Sequence, residues 1–322
     1  MNEFALIDRF FTRMPRDPAV VHGVGDDAAV LRPAPGCELV VAVDMMVEGR
    51  HFVAGTDPAR LGHKILAVNL SDLAAMGARP RWALLAGALP AGDPAWLAAF
   101  SSGLFALADA HGVELVGGDT TKGPCVLCLT IGGDVPEGSA ITRAGARSGD
   151  DIWVSGTLGD AMLALAALEG RTSLTVPAMD AARMRLEAPA PRVALGQRLR
   201  GVATAAIDVS DGLVGDLQHI GVRSQVGARV DLGALPRSPA LAAKLGGDER
   251  ALALQCLLAG GDDYELCFTA PSTARAALSA IGADVGVALT RVGEITTDTA
   301  LVVVDEHGTP LPVLPRAFDH FA

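Results

Sequence analysis

The feature that most constrains this chain is a recurring punctuation in which a short apolar run is closed by glycine and aspartate. The clearest case is Val113-Glu114-Leu115-Val116 followed by Gly117-Gly118-Asp119-Thr120-Thr121. It reads as a strand that stops on two glycines, residues that tolerate positive φ and let another backbone or a ligand come close. The strand then presents a carboxylate and two hydroxyls, hard oxygen donors of the kind Mg2+ takes. One such turn is ordinary, but this chain repeats it. Gly/Asp clusters recur at Gly23-Val24-Gly25-Asp26-Asp27, Asp208-Val209-Ser210-Asp211-Gly212 and Gly260-Gly261-Asp262-Asp263, and Asp44 and Asp72 interrupt apolar runs.

Apolar residues make up 50% of the 322 positions, enough for a sizeable α/β core in two domains, while aromatics at 4% leave Ala, Leu and Val to fill it. The balance of 26 Lys+Arg against 37 Asp+Glu gives a formal charge of −11 with no basic run, which excludes a nucleic-acid partner held through phosphates. Met1 to Arg16 lacks an apolar h-region and reads as no signal peptide. No run of about 18 apolar residues predicts a membrane span. Five scattered cysteines suggest reduced thiols and a cytoplasmic setting. The pair Cys125 and Cys128 falls in a strand-like run, where residues three apart face opposite ways.

In chain order, a helix is expected from Phe4 to Arg13. His22-Gly23-Val24-Gly25-Asp26-Asp27-Ala28 superficially fits a dinucleotide fingerprint, but two adjacent carboxylates would repel a pyrophosphate and no helix pattern follows. Glu38 to Val47 reads as a strand carrying Asp44 in its middle, an expensive place for a carboxylate without a partner. Asp57-Pro58 opens a helix that ends near Gly77, with Leu61, Ile65, Val68, Asp72 and Met76 on one face. Trp82–Leu89 is a strand, Asp93-Pro94 opens a second helix stopped at Gly112, and strands follow to Val116 and over Cys125–Val135. The first half therefore reads β-α-β-α-β-β. The Gly/Ala/Ser/Arg-rich segment Pro136–Asp151 marks a boundary, giving domains 1–136 and 137–322. The second half is mixed α/β. Its turn Gly156-Thr157-Leu158-Gly159, feeding a helix from Asp160, is a plausible phosphate cradle. A strand from Tyr264 to Thr269 follows the Gly260-Gly261 turn.

A P-loop is absent, and so are the H-R-D and D-F-G motifs of protein kinases. What remains for phosphate chemistry is the set of aspartates on loops and strand ends. Such carboxylates suit a nucleoside triphosphate held through several Mg2+ ions. A two-metal nuclease site is the formal alternative, against which the acidic charge argues.

At this point the chain resembles the thiamine-monophosphate kinases, in the superfamily that includes aminoimidazole ribonucleotide synthetase and selenophosphate synthetase. The resemblance covers nearly the whole chain. It rests on Gly23 to Leu31; on Val43-Asp44 with Glu48-Gly49-Arg50-His51-Phe52; and on Ala67-Val68-Asn69-Leu70-Ser71-Asp72-Leu73-Ala74-Ala75-Met76-Gly77. It continues through Gly117 to Thr121, Ile207 to Leu213, Gly260 to Leu266 and the tail Phe318-Asp319-His320-Phe321.

The resemblance implies an aminoimidazole ribonucleotide synthetase-like fold, α/β (α+β), whose N-terminal domain dimerises. It implies direct phosphoryl transfer from ATP to thiamine monophosphate, with metal ions and positioning rather than a catalytic side chain carrying the reaction. By the same resemblance Asp27, Asp44, Asp72, Asp119 and Asp208 are Mg2+ ligands and Asp211 a ligand of a further ion. Gly118, Asp119, Arg143 and Ser210 are ATP contacts, and His51, Asp262 and Phe318 substrate contacts. Two departures stand out. Ala42-Val43 replaces the hydroxyl residues usual before the strand aspartate, leaving Val43 a carbonyl ligand at most. Asp262 stands where glutamate is also common. Another ATP-dependent superfamily activity, such as aminoimidazole ribonucleotide synthetase, and a non-catalytic nucleotide or thiamine-phosphate binder are the alternatives.

Overall fold

The computed structural model describes residues 3–317 and divides into two compact units, one running to Ser139 and one from Ala140 onward, with Ala74–Gly77 counted in the second. The first unit contains α1 (Glu3–Phe10) and a two-stranded ribbon of β1 (Val20–His22) with β2 (Val30–Leu31). Its main sheet and helices follow the expected order: β3 (Cys37–Val47), α2 (Pro58–Ala75), β4 (Arg79–Leu89), α3 (Pro94–His111), β5 (Glu114–Lys122) and β6 (Val126–Pro136). In space the strands run β3-β6-β4-β5, with β4 and β5 parallel and the other two pairs antiparallel.

The caps explain where the helices begin. Asp57 accepts the Arg60 N–H at 3.0 Å, and Asp93 accepts that of Ala95 at 2.9 Å; each satisfies an orphan donor of the first turn. Gly112 closes α3 in the left-handed region at φ 65°. Leu85, Leu127, Leu129 and Ile131 are buried on the helix-covered face, where a Cβ on Gly133 would meet the Leu73 side chain of α2. The opposite face of β3 leaves Leu39, Val41, Val43 and Met45 each more than half exposed.

One sequence expectation needs revision. Gly117-Gly118 does not end a strand in a turn, because β5 continues to Lys122 and absorbs an extra residue as a bulge: Ala83 pairs with Leu115 and Leu84 with Gly117. The glycine is needed all the same. A Cβ on Gly118 would overlap the Leu85 carbonyl oxygen, so the two strands touch there backbone to backbone.

The second unit is a six-stranded sheet of β7 (Asp150–Ser155), β8 (Ala205–Asp208), β9 (Gly227–Asp231), β10 (Leu266–Pro271), β11 (Leu289–Thr296) and β12 (Leu301–Val304). Its spatial order is β12-β9-β11-β7-β10-β8, and only β12 and β9 run parallel. The helices α4 (Asp160–Leu168), α5 (Val176–Glu187), α6 (Val193–Leu199), α7 (Leu213–Ser224), α8 (Pro239–Leu245), α9 (Arg250–Ala259) and α10 (Arg275–Val285) complete it. Ile152, Val154, Ile207, Leu217, Ile220, Val230, Leu257 and Val292 form the centre of its core. Here β10 begins at Leu266, two residues later than the sequence suggests, since Asp262 and Tyr264 have φ of 59° and 49° and cannot extend a strand.

The crossing of α2 and α3 yields a first prediction. A Cβ on Gly62 would overlap the Phe100 carbonyl and one on Gly103 the Ala59 carbonyl, so two helical backbones meet at glycines. Gly103→Ala is expected to destabilise the chain by about 2 kcal/mol through overpacking, read as a lowered urea midpoint. An unchanged midpoint would show that the crossing can give way.

Candidate functional site

In the first unit the loop between β1 and β2 and the bulged strand β5 line a common cleft of about 930 Å3. Asp26 and Asp27 reach it from the loop, Gly118, Asp119 and Thr120 from β5, and Trp82 from β4. Gly25, at φ 116°, turns the loop so that both aspartates follow it. Asp27 and Asp119 are exposed to solvent. Asp26 and Asp119 are each braced by the next residue: Asp26 accepts the Asp27 N–H at 3.1 Å and Asp119 that of Thr120 at 2.9 Å. The cleft thus brings Asp27, Gly118 and Asp119 together.

Other predicted residues of this unit sit elsewhere. Asp44 pairs in register with Leu129, while Asp119 lies in register with Ala86 and Cys128, so Asp44 points to the opposite, helix-covered face of the sheet. Val43 shares the face of Thr130, a cleft residue. Asp72 is half-buried on α2, two positions beyond the buried Leu70. His51 follows β3, and its Nδ1 accepts the Val47 N–H at 3.0 Å, which places the ring proton on Nε2. Phe318 lies outside the described residues.

In the second unit two loops are laced together. Asp208 ends β8 beside Leu266 of β10. The Asp262 N–H donates to the Ser210 carbonyl at 2.8 Å, that of Tyr264 to Val209 at 2.9 Å, and that of Val209 to Glu265 at 2.8 Å. Asp208, Ser210, Asp211 and Asp262 therefore belong to one corner of this unit. Arg143 is exposed on the segment whose Thr142 carbonyl accepts the Ala206 N–H of β8 at 3.1 Å.

Sequence reasoning gave no role to three acidic residues of this corner. Asp216, in the first turn of α7, is 3% exposed and accepts the N–H groups of Ser210 at 3.0 Å and Asp211 at 3.1 Å. Burial first, and then the neighbouring Asp208 and Asp211, push its pKa up to about 8. Its spacing after Asp208-Val209-Ser210-Asp211-Gly212, one helical turn on, was the available signal. Asp263 is also buried, and burial holds its carboxyl well above the usual range. Both its oxygens lie 2.9 Å from the Gly159 N–H. The glycine turn at 156–159 is therefore filled by an internal carboxyl group at the start of α4, which corrects its reading as a phosphate cradle.

Glu265 is fully buried. Arg192 grips it through Nε and Nη2 at 2.6 and 2.5 Å, Arg185 reaches it at 2.6 Å and Ser155 Oγ at 2.5 Å. Two cationic forks on one carboxylate form a strong hydrogen-bonded cluster. Among the described residues neither unit holds three His, Cys, Asp or Glu side chains already gathered as a metal cage.

Comparison with known proteins is extensive. The models of the AIR synthase related protein N-terminal and C-terminal domains match residues 25–135 and 147–306. The thiamine-monophosphate kinase of Escherichia coli (strain K12) is 45% identical over 324 residues, covering 100% of this chain and 98% of that relative. That of Haemophilus influenzae (strain Rd) is 43% identical over 273 residues, covering 84% and 82%. The crystal structure of thiamine-monophosphate kinase from Stenotrophomonas maltophilia K279a is similar at TM-score 0.87 and 48% identity, covering 97% of this chain and 98% of that one. The structure described as AaThiL complexed with AMPPCP and TMP is similar at TM-score 0.77 and 28% identity, covering 90% and 89%.

The buried cluster gives the second prediction. Glu265→Ala leaves two inward-facing arginine charges without their acceptor, a loss expected to cost about 3 kcal/mol. Chemical denaturation checks it, and a change under about 0.5 kcal/mol would mean the arginines find other acceptors.

Proposed function

We infer function from one premise: the chain belongs to the thiamine-monophosphate kinase family. It phosphorylates thiamine monophosphate to thiamine diphosphate at the expense of ATP, by direct in-line transfer of the γ-phosphoryl group. The observation that carries this reading is similarity to kinases of that name along the whole chain. A structural relative bound to AMPPCP and TMP supports it; AMPPCP stands in for ATP, with a methylene replacing the β–γ bridging oxygen.

The residues of this chain fit Mg2+ as partner of the two substrates. Mg2+ needs only one or two carboxylates when substrate phosphates supply the rest, so a ready-made protein cage is not required. Asp27 and Asp119 offer hard oxygens in a cleft floored by the bare backbone of Gly118. In the corner of Asp208, Asp211 and Asp216, burial and then the neighbouring carboxylates raise the Asp216 pKa to about 8, and carboxylates this close together favour a cation. We propose as ligands Asp27 and Asp119 at the cleft, Asp44 on the helix-covered face of the sheet, Asp72 on α2 and Asp208 in the second unit, with Asp211 as ligand of a further ion and Val43 as a carbonyl ligand. Mg2+, when bound, neutralises the repulsion between two polyanions and the charge of the transition state.

The chain's own residues bind and orient. Gly118, Asp119, Arg143 and Ser210 are proposed for ATP, Arg143 as an exposed guanidinium suited to phosphate oxygens. His51, Asp262 and Phe318 are proposed for thiamine monophosphate. The acceptor is a phosphate oxygen whose second pKa lies near 6, so it is already largely deprotonated at neutral pH. No general base is then needed, and positioning carries the step.

We propose further that the chain forms a homodimer through its first unit. In support, β3 is an edge strand of 11 residues, and its open face carries Leu39, Val41, Val43 and Met45 at 52–60% exposure. A long apolar edge left bare invites association, and a second copy covers it. The cytoplasm is the proposed setting, on five cysteines that are all free thiols; no described helix is long and apolar enough to cross a membrane.

Two measurements test these readings. With γ-labelled ATP, Mg2+ and thiamine monophosphate, labelled thiamine diphosphate and stoichiometric ADP are expected, and no label on the protein when thiamine monophosphate is withheld. Asp119→Asn should keep the fold and lose most of this turnover. Stable, transferable label on the protein would sink direct transfer, and near wild-type turnover of the variant would remove Asp119 from the ligand set. Separately, light scattering at micromolar concentration should report twice the 32.9 kDa chain mass, and a monomer there would refute the dimer.

A further inference from the structure

The loop from Gly261 to Tyr264 is held in an unfavourable backbone shape. Gly261, Asp262 and Tyr264 have φ of 70°, 59° and 49°, and among the described residues Gln225 is the only other non-glycine with positive φ. Left-handed backbone is especially uncommon for a bulky residue such as tyrosine, and such strain persists where the surroundings impose it. Here they do. Asp263 is pinned below by the Gly159 N–H, Glu265 by Arg185, Arg192 and Ser155, and the loop backbone by Ser210 and Val209.

The consequence lies between the alternate residues. The Tyr264 hydroxyl donates to Asp262 Oδ1 at 3.0 Å, although the two are only two positions apart. A regular strand places residues i and i+2 on one face but spaces them by about 6.6 Å along it. The left-handed kinks close that gap. Tyr264 is also the chain's only tyrosine.

We propose that Tyr264 is a positioning residue for Asp262, and that the pair selects the cationic, N–H-donating part of thiamine monophosphate rather than its phosphate. The proposal rests on the functional reading above, in which Asp262 contacts that substrate. A carboxylate repels a phosphate but accepts hydrogen bonds from an aminopyrimidine and attracts a thiazolium charge. With Oδ1 engaged by the hydroxyl, the carboxylate cannot swing freely, and its remaining lone pairs have a fixed direction. The rotational freedom that Asp262 would otherwise lose on binding is lost beforehand. Tyr264 acts through Asp262, so its influence falls on recognition of one substrate.

The test compares wild-type protein with Tyr264→Phe, Asp262→Asn and the double variant, measuring kcat and both KM values. Beside it, wild-type protein carrying 3-fluorotyrosine at its single tyrosine is titrated with thiamine monophosphate without ATP and followed by fluorine NMR. Tyr264→Phe is expected to raise KM for thiamine monophosphate about ten-fold, as loss of a hydrogen bond to a charged group does. KM for ATP should stay within about two-fold and kcat within about three-fold. In the Asp262→Asn background Tyr264→Phe should add less than about two-fold, because the two act as one unit. The fluorine resonance should shift with saturating thiamine monophosphate.

An unchanged KM in Tyr264→Phe overturns the proposal. So does an equal rise of both KM values, which marks general loop packing, full additivity in the double variant, or a fluorine signal that thiamine monophosphate does not move. If wild-type protein makes no thiamine diphosphate, the functional reading falls and takes this one with it. If wild type turns over but Asp262→Asn leaves both KM values unchanged, the kinase reading stands and the pair is not its recognition element.

Discussion

Like charge held next to like charge is the condition on which the rest of this structure depends. Asp208, Asp211 and Asp216 meet at one strand-to-helix corner, where burial and then the two neighbouring carboxylates push Asp216 to about 8. Buried carboxylates survive only with donors or cations. The fold supplies donors from its own backbone: Ser210 and Asp211 N–H to Asp216, and Gly159 N–H to Asp263. Where backbone is insufficient, it supplies arginine, two of them for Glu265. Asp27 and Asp119, exposed to solvent at the cleft, are among the residues proposed to face a cation. On this view the chain separates its carboxylates into those that hold the loops and those that the loops present.

Glycine provides the matching freedom of shape. Gly118 lets β5 press against the Leu85 carbonyl, and this places Asp119 at the cleft. Gly261 does the same for its loop, where a Cβ would overlap the Ser210 carbonyl. In both places a glycine immediately precedes the aspartate that faces outward. The pairing has a physical cause, since only a backbone that comes unusually close to its neighbour can present a short side chain beyond it.

Much of this was legible from sequence. Period and caps located the elements of the first unit, because Asp57-Pro58, Asp93-Pro94 and Gly112 act locally and their effects do not depend on distant residues. The Gly/Asp clusters marked the loops, and the resemblance named the family to which the chain belongs. What escaped was whatever depends on register or on long-range pairing. A two-glycine run looks the same whether it ends a strand or bulges within one, and the choice at Gly117 is made by the partner strand β4. The turn at 156–159 has every local mark of an anion site, but its occupant, Asp263, comes from more than a hundred residues away. Asp44 illustrates the same limit from the other side. Its place mid-strand was plain, but the sheet face it takes is fixed by its register with Leu129.

The chemistry explains why so little of the site looks catalytic. A phosphate acceptor arrives deprotonated, so no histidine–carboxylate pair is required to activate it. His51 agrees with this, since its Nδ1 already accepts the Val47 N–H at the end of β3 and cannot take up a proton from an acceptor there. What the reaction does require is that two anions be brought together and kept in line, and the Mg2+ proposed as partner of this chain, of net charge −11, would supply the counter-charge for that. On the proposed reading, acidity that would defeat a nucleic-acid binder is the chain's means of gathering the counter-charge its substrates share. The selectivity for one phosphomonoester among many must come from the part of the substrate that is not phosphate. In the proposal made for Asp262, that is the part a braced carboxylate recognises, and the strain of residues 261–264 serves to brace it.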